Sequence, residues 1–401
     1  MNDNPFANLM REDVPDSRVQ VGAVIAGGRA RVRRRQAATV VAAAAAVVVV
    51  VGGAALAAVR PEPVRPDPVQ PPPSSSPSPS VRSCQAVPLP ELGAPAWVAV
   101  DAAGHYFAGT PTTAIGTVNV LGPEGLSTVR SSAQKLIVTG VNGNGTIIGN
   151  ATNDTDTESG AFVIENRMTV RLSPPPGALD VRAAAINDTG DVVGDARMPG
   201  NTFQAVVWRY GKWNEPQPLA IPAGIAIGPL AAGGSSAYGI AADGRIVGSI
   251  GNGAAPFLWN ADGGGHVLDV PAGKPGGIAV RIAGEWAQGT VDVLADTHVR
   301  PDGRRVGNAE PESVRWNLRT GQVQPIEAGH PSIGAAGLLP DGTVVVHVQN
   351  YAVLWTDRGV TRLPMPKGST HIQITGAAND GTVVGFVTEG EPAGAYRWNC
   401  R

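Results

Sequence analysis

The segment Ile186-Asn187-Asp188-Thr189-Gly190-Asp191-Val192-Val193-Gly194 decides the architecture of most of the chain. A short apolar run meets an Asn/Asp-Gly turn, and a β-branched run leads away from it. That order marks a hairpin, in which a primed turn demands φ > 0 and Gly, Asn and Asp tolerate it. The segment recurs as Ile240-Ala241-Ala242-Asp243-Gly244-Arg245-Ile246-Val247-Gly248 and Ala377-Ala378-Asn379-Asp380-Gly381-Thr382-Val383-Val384-Gly385. Val141 to Gly149 is a fourth copy, and Leu338 to Val346 a fifth that lacks the final Gly. Two degenerate copies run from Asp101 to Gly109 and from Ile282 to Gly289.

Each hairpin is followed by a second apolar unit: Val206-Val207-Trp208, Phe257-Leu258-Trp259, Val314-Arg315-Trp316, Val353-Leu354-Trp355 or Tyr396-Arg397-Trp398. The second copy has Ala161-Phe162-Val163-Ile164, without Trp. A turn and another run, such as Val360-Thr361-Arg362-Leu363-Pro364, complete four short strands. Turn glycines fall at 104, 145, 190, 244, 284, 342 and 381, spaced by 41, 45, 54, 40, 58 and 39 residues. Seven four-stranded units of about 45 residues predict an all-β, seven-bladed β-propeller.

The ends of this region predict how the ring closes. The last copy stops after its third strand, at Trp398-Asn399-Cys400-Arg401, and Cys84-Gln85-Ala86-Val87-Pro88-Leu89-Pro90 resembles the fourth-strand segment Thr361 to Pro366. The first strand is therefore expected to complete the last blade, which removes an open edge. Cys84 and Cys400, the two cysteines of the chain, then face each other. A disulfide between them closes a loop of roughly 300 residues and is worth about 4–5 kcal/mol in the chain-entropy description.

The pattern N-x-x-G-x-V-V-G followed by A-F-x-W resembles the HAF-type extracellular repeats of bacterial surface proteins. The match is good at 141–149, 186–194 and 377–385, partial at 240–248 and 338–346, and poor in the two degenerate copies. It covers residues 84–401. The resemblance implies a propeller-like surface domain and brings no established activity, so no catalytic residue is carried over from it.

Upstream, Ala37 to Val59 holds 23 residues without a charge, 19 of them Ala or Val. At ~1.5 Å per residue the run reaches about 34 Å, enough to cross a bilayer core as one helix. Arg29, Arg31, Arg33, Arg34 and Arg35 precede it and only Arg60 follows closely, so the positive-inside rule places 1–36 in the cytoplasm and the propeller outside. A cleaved signal peptide with Ala55-Leu56-Ala57 as its site competes with this signal-anchor reading. Residues 60–83 form a stalk: nine of the 20 residues from Pro61 to Ser80 are Pro, and an extended polyproline spacer of this length reaches about 70 Å. The four segments are thus a basic cytoplasmic stretch (1–36), a transmembrane helix (37–59), the stalk (60–83) and an extracytoplasmic propeller (84–401).

Gly and Pro number 52 and 35 of 401 residues, the charged fraction is 16 % and the net charge is -2. Low charge with 43 % apolar residues excludes a disordered chain, and near-neutrality argues against a nucleic-acid partner. The six histidines show no metal-ligand spacing, and neither a nucleophile elbow nor a phosphate loop is present. No catalytic set, metal site or cofactor is assigned. Asp and Asn at 144, 188, 243, 341 and 380 are assigned to turn chemistry rather than calcium, and the third-strand tryptophans to packing between blades. Long segments fall between strands two and three (150–160, 195–204, 290–312) and between blades (220–236, 269–278), on one face of a propeller, and variable loops carry function. Asp154, Asp156 and Glu158 form an acidic cluster on that face, and Arg300, Arg304 and Arg305 a basic one. Tyr210 and Trp213, on the opposite face, are candidate stacking aromatics, with packing as the other reading of Trp213. These features point to a monomeric binding module for a cell-envelope protein or polysaccharide. A hydrolase or lyase using carboxylates in the central channel is the alternative, and a sensor signalling through 1–36 a third.

Overall fold

A computed structural model describes residues 83–400 except 94, 112–115, 131–134, 153–158, 201, 223–224, 226–233, 252, 254, 275, 300–304, 328–333 and 391–392. The proposed cytoplasmic segment, membrane helix and nearly all of the stalk lie outside the described residues. Among those described, no helix is long and apolar enough to cross a membrane.

The described strands form seven antiparallel four-stranded sheets, and in six of them the strands lie in chain order. Blade 1 holds Pro95–Val100, Phe107–Pro111, Thr117–Gly122 and Gly125–Arg130; blade 2 holds Lys135–Val141, Ile147–Thr152, Ser159–Glu165 and Met168–Arg171. Blade 3 comprises Asp180–Ile186, Val192–Met198, Thr202–Trp208 and Gln217–Pro218; blade 4, Ser235–Ile240, Ile246–Ile250, Ala255–Trp259 and Gly265–Val267. Blade 5 comprises Gly277–Ala283, Trp286–Val299, Arg305–Asn317 and Val323–Pro325; blade 6, Gly334–Leu338, Val344–Val348, Tyr351–Thr356 and Gly359–Arg362. Blade 7 takes Ser369–Ala377, Thr382–Gly390 and Gly394–Cys400 from the end of the chain and Cys84–Pro88 from its other side. The expected closure is present: Cys84 pairs with Cys400 and Pro88 with Tyr396, and the two cysteines form a disulfide with their Cα atoms 4.1 Å apart.

All seven turn glycines named from the sequence have positive φ, from 54° to 93°. The turn itself differs from the expected primed type. Gly145 N–H donates to the Asn142 carbonyl at 2.9 Å, and Asn142 N–H to Thr146 at 3.0 Å. Only the Gly is left-handed, so the loop is an ordinary turn closed by a Gly bulge. Asn144 and its equivalents keep negative φ; Asp243, Asp341 and Asp380 each accept the N–H two residues on, at 2.8–3.1 Å, while the Asn144 side-chain amide donates to the Asp188 carbonyl of the next blade at 3.2 Å. Of the described residues, only Asn166 and Arg167 form a two-residue left-handed pair, in the outer hairpin of blade 2.

The closing Gly of the repeat has a separate task. In blades 2 to 7 the innermost strand carries one extra residue at the same place: Thr139, Ala184, Tyr238, Val280, Ala336 and Thr375. The motif glycines pair with the residue just before that bulge, as Gly194 does with Ala183 and Gly248 with Ala237. A Cβ on Gly149, Gly194, Gly248, Gly289 or Gly385 would run into an inner-strand carbonyl oxygen, that of Arg182 in the case of Gly194. Glycine therefore lets the bulged strand approach, and the bulge turns its extra side chain toward the ring axis.

Seven apolar clusters hold the blades together, one at each junction. Ile148, Ala161 and Val163 of blade 2 meet Val181, Val192 and Trp208 of blade 3; Val384 and Ala395 of blade 7 meet Val98 and Phe107 of blade 1. Trp208, Trp259, Trp316 and Trp398 are fully buried in these seams. Each indole N–H donates to a carbonyl of the preceding blade connection: Ser173, Ala220, Asp269 and Pro364, at 2.6–2.9 Å. The tryptophans are packing residues with their one polar atom satisfied. Around the hairpin face the turns are stitched in series. Asn142 donates to the Asn187 carbonyl at 3.1 Å and Asn187 to that of Ala241 at 3.2 Å. Between blades 5 and 6 the link is Arg315, which lies between the Trp286 and Trp355 rings and donates to the Gly342 carbonyl.

Two outcomes are expected. Gly194→Ala should destabilise the ring by about 1–3 kcal/mol through overpacking, read as a lower denaturant midpoint. Cys400→Ser should lower stability by up to about 5 kcal/mol; non-reducing peptide mapping of the native protein should yield one Cys84–Cys400 peptide, and two free thiols would contradict it.

Candidate functional site

Antiparallel alternation puts the hairpins between strands two and three, and the connections between blades, on one face. There the Phe203 and Gly234 backbones form a parallel bridge between the blade 3 hairpin and the connection to blade 4. Of the residues singled out on this face from the sequence, Asp154, Asp156, Glu158, Arg300 and Arg304 lie outside the described residues. Arg305 begins a strand opposite Val299, and its side chain is likewise outside the description. The segment 290–312, expected as a loop, is mainly an extension of strand pairing: Trp286–Val299 and Arg305–Asn317 run together as a long ribbon with one register shift between Ala295 and His298. On the opposite face Tyr210 is exposed, while Trp213 is buried in the blade 2–3 seam and meets the Tyr210 ring edge-on at 5.8 Å. Trp213 is thus a packing residue. The Glu165 carboxylate beside the Tyr210 hydroxyl holds that phenol above its usual range.

Two concave sites are lined by described residues, and both include residues of the bulged inner strands. The first is the central channel, a space of about 280 Å³ whose described lining comes from the innermost strands of six blades. Trp97, Thr139, Ala184, Tyr238, Val280 and Thr375 face it. The bulged threonines also tie neighbouring blades: Thr139 donates to the Ala183 carbonyl at 3.0 Å and Thr375 to that of Val98 at 2.5 Å. None of the described lining residues is a carboxylate; the charge in the channel is Arg281.

The second site opens between blades 3 and 4 and shares Tyr238 with the channel. It is a pocket of about 350 Å³ with Asp195 and Arg182 on the blade 3 side and Ser236 and Ser249 on the blade 4 side, and Phe203 also lines it. Asp195 follows the closing Gly of its repeat. The same position in blades 2 and 6 bonds into the next inner strand. Asn150 exchanges hydrogen bonds with the backbone of Ala183 at 2.9 and 3.1 Å, and the His347 ring nitrogen lies 2.7 Å from the Ile372 carbonyl. A carboxylate has no N–H to give. Asp195 is only 9 % exposed, and its Oδ1 is sealed from water without a partner. Burial pushes the carboxyl up to about 6; Arg182 opposes the shift and Asp180 adds to it. Asp180 is itself held by Arg197 at 2.5 Å. A native buried oxygen left without a bond requires an explanation, and a carboxyl tuned toward neutrality in a cleft marks a functional candidate.

Sequence reading missed Asp195, Arg182 and Arg281. The signal was present in the repeat: the residues after the closing glycines are otherwise neutral, as in Asn150, Ser249 and Thr290, and Asp195 breaks that series.

No family model matches the chain, and no curated protein matches it. Among solved structures, a catalytically inactive variant of virginiamycin B lyase from Staphylococcus aureus, with quinupristin, is similar at 10 % identity and TM-score 0.51, covering 79 % of this chain and 99 % of that one. The selenomethionine form of the same lyase gives 10 % identity, TM-score 0.50 and the same coverages. A streptogramin B lyase follows at 9 % identity and TM-score 0.46, covering 80 % of this chain and 98 % of that one. At these identities the likeness is one of fold, that of a β-propeller.

Asp195 makes stability depend on pH in a defined direction. Its carboxyl titrates near 3.8 when unfolded and about 6 when folded, so the folded state holds the extra proton between those values. Stability is expected to fall as pH rises from 4 to 6, by at most about 3 kcal/mol from this group, and then level off. Asp195→Asn should flatten that segment of the curve and raise the denaturant midpoint at pH 7.

Proposed function

We propose that the protein is a membrane-anchored, extracytoplasmic β-propeller that binds a polyhydroxyl ligand, a cell-envelope glycan, in the pocket between blades 3 and 4. The observation that carries this reading is the unpartnered Asp195 oxygen in a pocket with Ser236, Ser249 and an aromatic ring, Phe203. Sugar hydroxyls donate to carboxylates and exchange bonds with serine hydroxyls, and the apolar faces of sugar rings pack on aromatic ones. The membrane anchor (37–59), the stalk (60–83) and the outward orientation belong to this proposal on the sequence pattern alone. They place the loop face among wall polymers, and the HAF-type resemblance agrees with a surface role.

One observation also favours a second reading, a hydrolase or lyase on the same scaffold. A carboxyl titrating near 6 suits a general acid–base group at neutral pH. This moves the acid–base candidate of the enzyme reading from the channel to the side pocket.

The test is retention of the full chain, in detergent, on purified insoluble envelope glycan. Asp195→Ala should weaken retention about tenfold, the loss of one charge-assisted hydrogen bond. Retention by the native protein should strengthen from pH 5 to pH 7, as Asp195 ionises. Unchanged retention in the variant would sink the glycan reading, and product release from the glycan that disappears in Asp195→Asn would move the assignment to the enzyme.

A further inference from the structure

Arg281 occupies a position that the other six blades fill with Gly or Ala. By strand register, the inner-strand residues paired, like Arg281, with the residue just before the closing position of the repeat are Ala99, Gly140, Ala185, Gly239, Gly337 and Gly376. Ala99, Gly140 and Gly376 of that ring line the channel, where a small residue keeps the bore open. In blade 5 a long cation stands instead. Its guanidinium reaches past blade 6, and Nη2 donates to the Thr375 carbonyl of blade 7 at 3.1 Å. Its Nε is sealed from water and has no hydrogen-bond acceptor. Burial alone pulls the guanidinium below its usual range, with no neighbouring carboxylate to oppose it. A single carbonyl dipole does not neutralise a desolvated cation, and leaving such a charge unpaired is strongly unfavourable.

We propose that the central channel is an oxyanion site in which Arg281 holds the carboxylate or phosphate group of a small ligand, against the rings of Trp97 and Tyr238. The fork of N–H donors on a guanidinium matches both oxyanions, and each is stronger as an acceptor than the carbonyl already used. A space of about 280 Å³ admits a small organic acid or phosphate ester and excludes a polymer chain. The site is independent of the glycan pocket: it uses a different charge, of opposite sign, and stands whether or not Asp195 binds sugar.

The experiment is a thermal-unfolding titration of the full chain in detergent with sodium phosphate, sodium acetate and sodium chloride at equal ionic strength. Phosphate or acetate, and not chloride, should raise the unfolding temperature saturably, by about 2–4 °C near ten times the dissociation constant. The more effective arm identifies the oxyanion. Arg281→Gly, which restores the residue found in four other blades, should fold and lose the oxyanion-specific rise, weakening binding at least tenfold. Trp97→Phe should reduce the rise and abolish the change in tryptophan fluorescence that accompanies it in the native protein, which assigns that signal to the channel. The proposal is overturned if neither oxyanion exceeds chloride in the native protein, or if Arg281→Gly shows the same rise. Should that variant fail to fold, the native titration and the Trp97 fluorescence signal decide it alone: a saturable, oxyanion-specific change supports the site and its absence removes it.

Discussion

Steric contact between a glycine and a carbonyl oxygen governs this ring. At Gly149, Gly194, Gly248, Gly289 and Gly385 the second strand of a blade admits a bulged inner strand so closely that any Cβ would collide with it. The bulge has two effects. It aims one side chain at the axis in blades 2 to 5 and 7, which makes much of the channel wall, and it bends the inner strand so that neighbouring blades approach there. Blade 6 departs from the rule, with Val346 where the Gly should be, yet its inner strand still carries the extra residue. Val346 is fully buried in the blade 5–6 seam, so this seam is filled by a larger side chain.

The repeat made the fold readable because each level of evidence agreed with the others. Turn glycines, β-branched runs and third-strand tryptophans all recurred at the length of one blade, and the missing last strand had a visible substitute at Cys84. What could not be read was the inner-strand bulge. Its extra residues are Thr139, Ala184, Tyr238, Val280, Ala336 and Thr375, which share neither size nor polarity. Local composition carries no mark of a register shift that the opposite strand permits. The turns were misassigned for a related reason, since Asn and Asp suit both a left-handed position and a capping role. The length of segment 290–312 suggests a loop, whereas most of its described backbone is paired, because a hairpin can lengthen without losing its ladder.

The candidate sites were less legible than the fold, and the cause is physical. Charged loop residues attract notice in a sequence, but exposed charges are common and mostly solvated. Asp195 and Arg281 are chemically ordinary residues made unusual by burial. Their environments come from the meeting of separate blades: Asp195 from the blade 3–4 seam, Arg281 from the convergence of six inner strands. The repeat provides its own comparison, because seven equivalent positions show what the scaffold needs, and a departure at one of them shows what the scaffold does not explain. Asn150 and Gly239 are the reference residues by which Asp195 and Arg281 stand out.

The closing strand also has a mechanical consequence. Tension arriving from the chain before Cys84 meets the outermost strand of blade 7 at its first residue. That is the end from which hydrogen bonds to Gly394–Cys400 would otherwise unzip one pair at a time. The first pair is Cys84 with Cys400, and it is covalent. Load therefore passes directly to the other end of the propeller chain, and the backbone ladder behind it carries little. A pull on the chain before Cys84 is thus met at the one pair where peeling would begin.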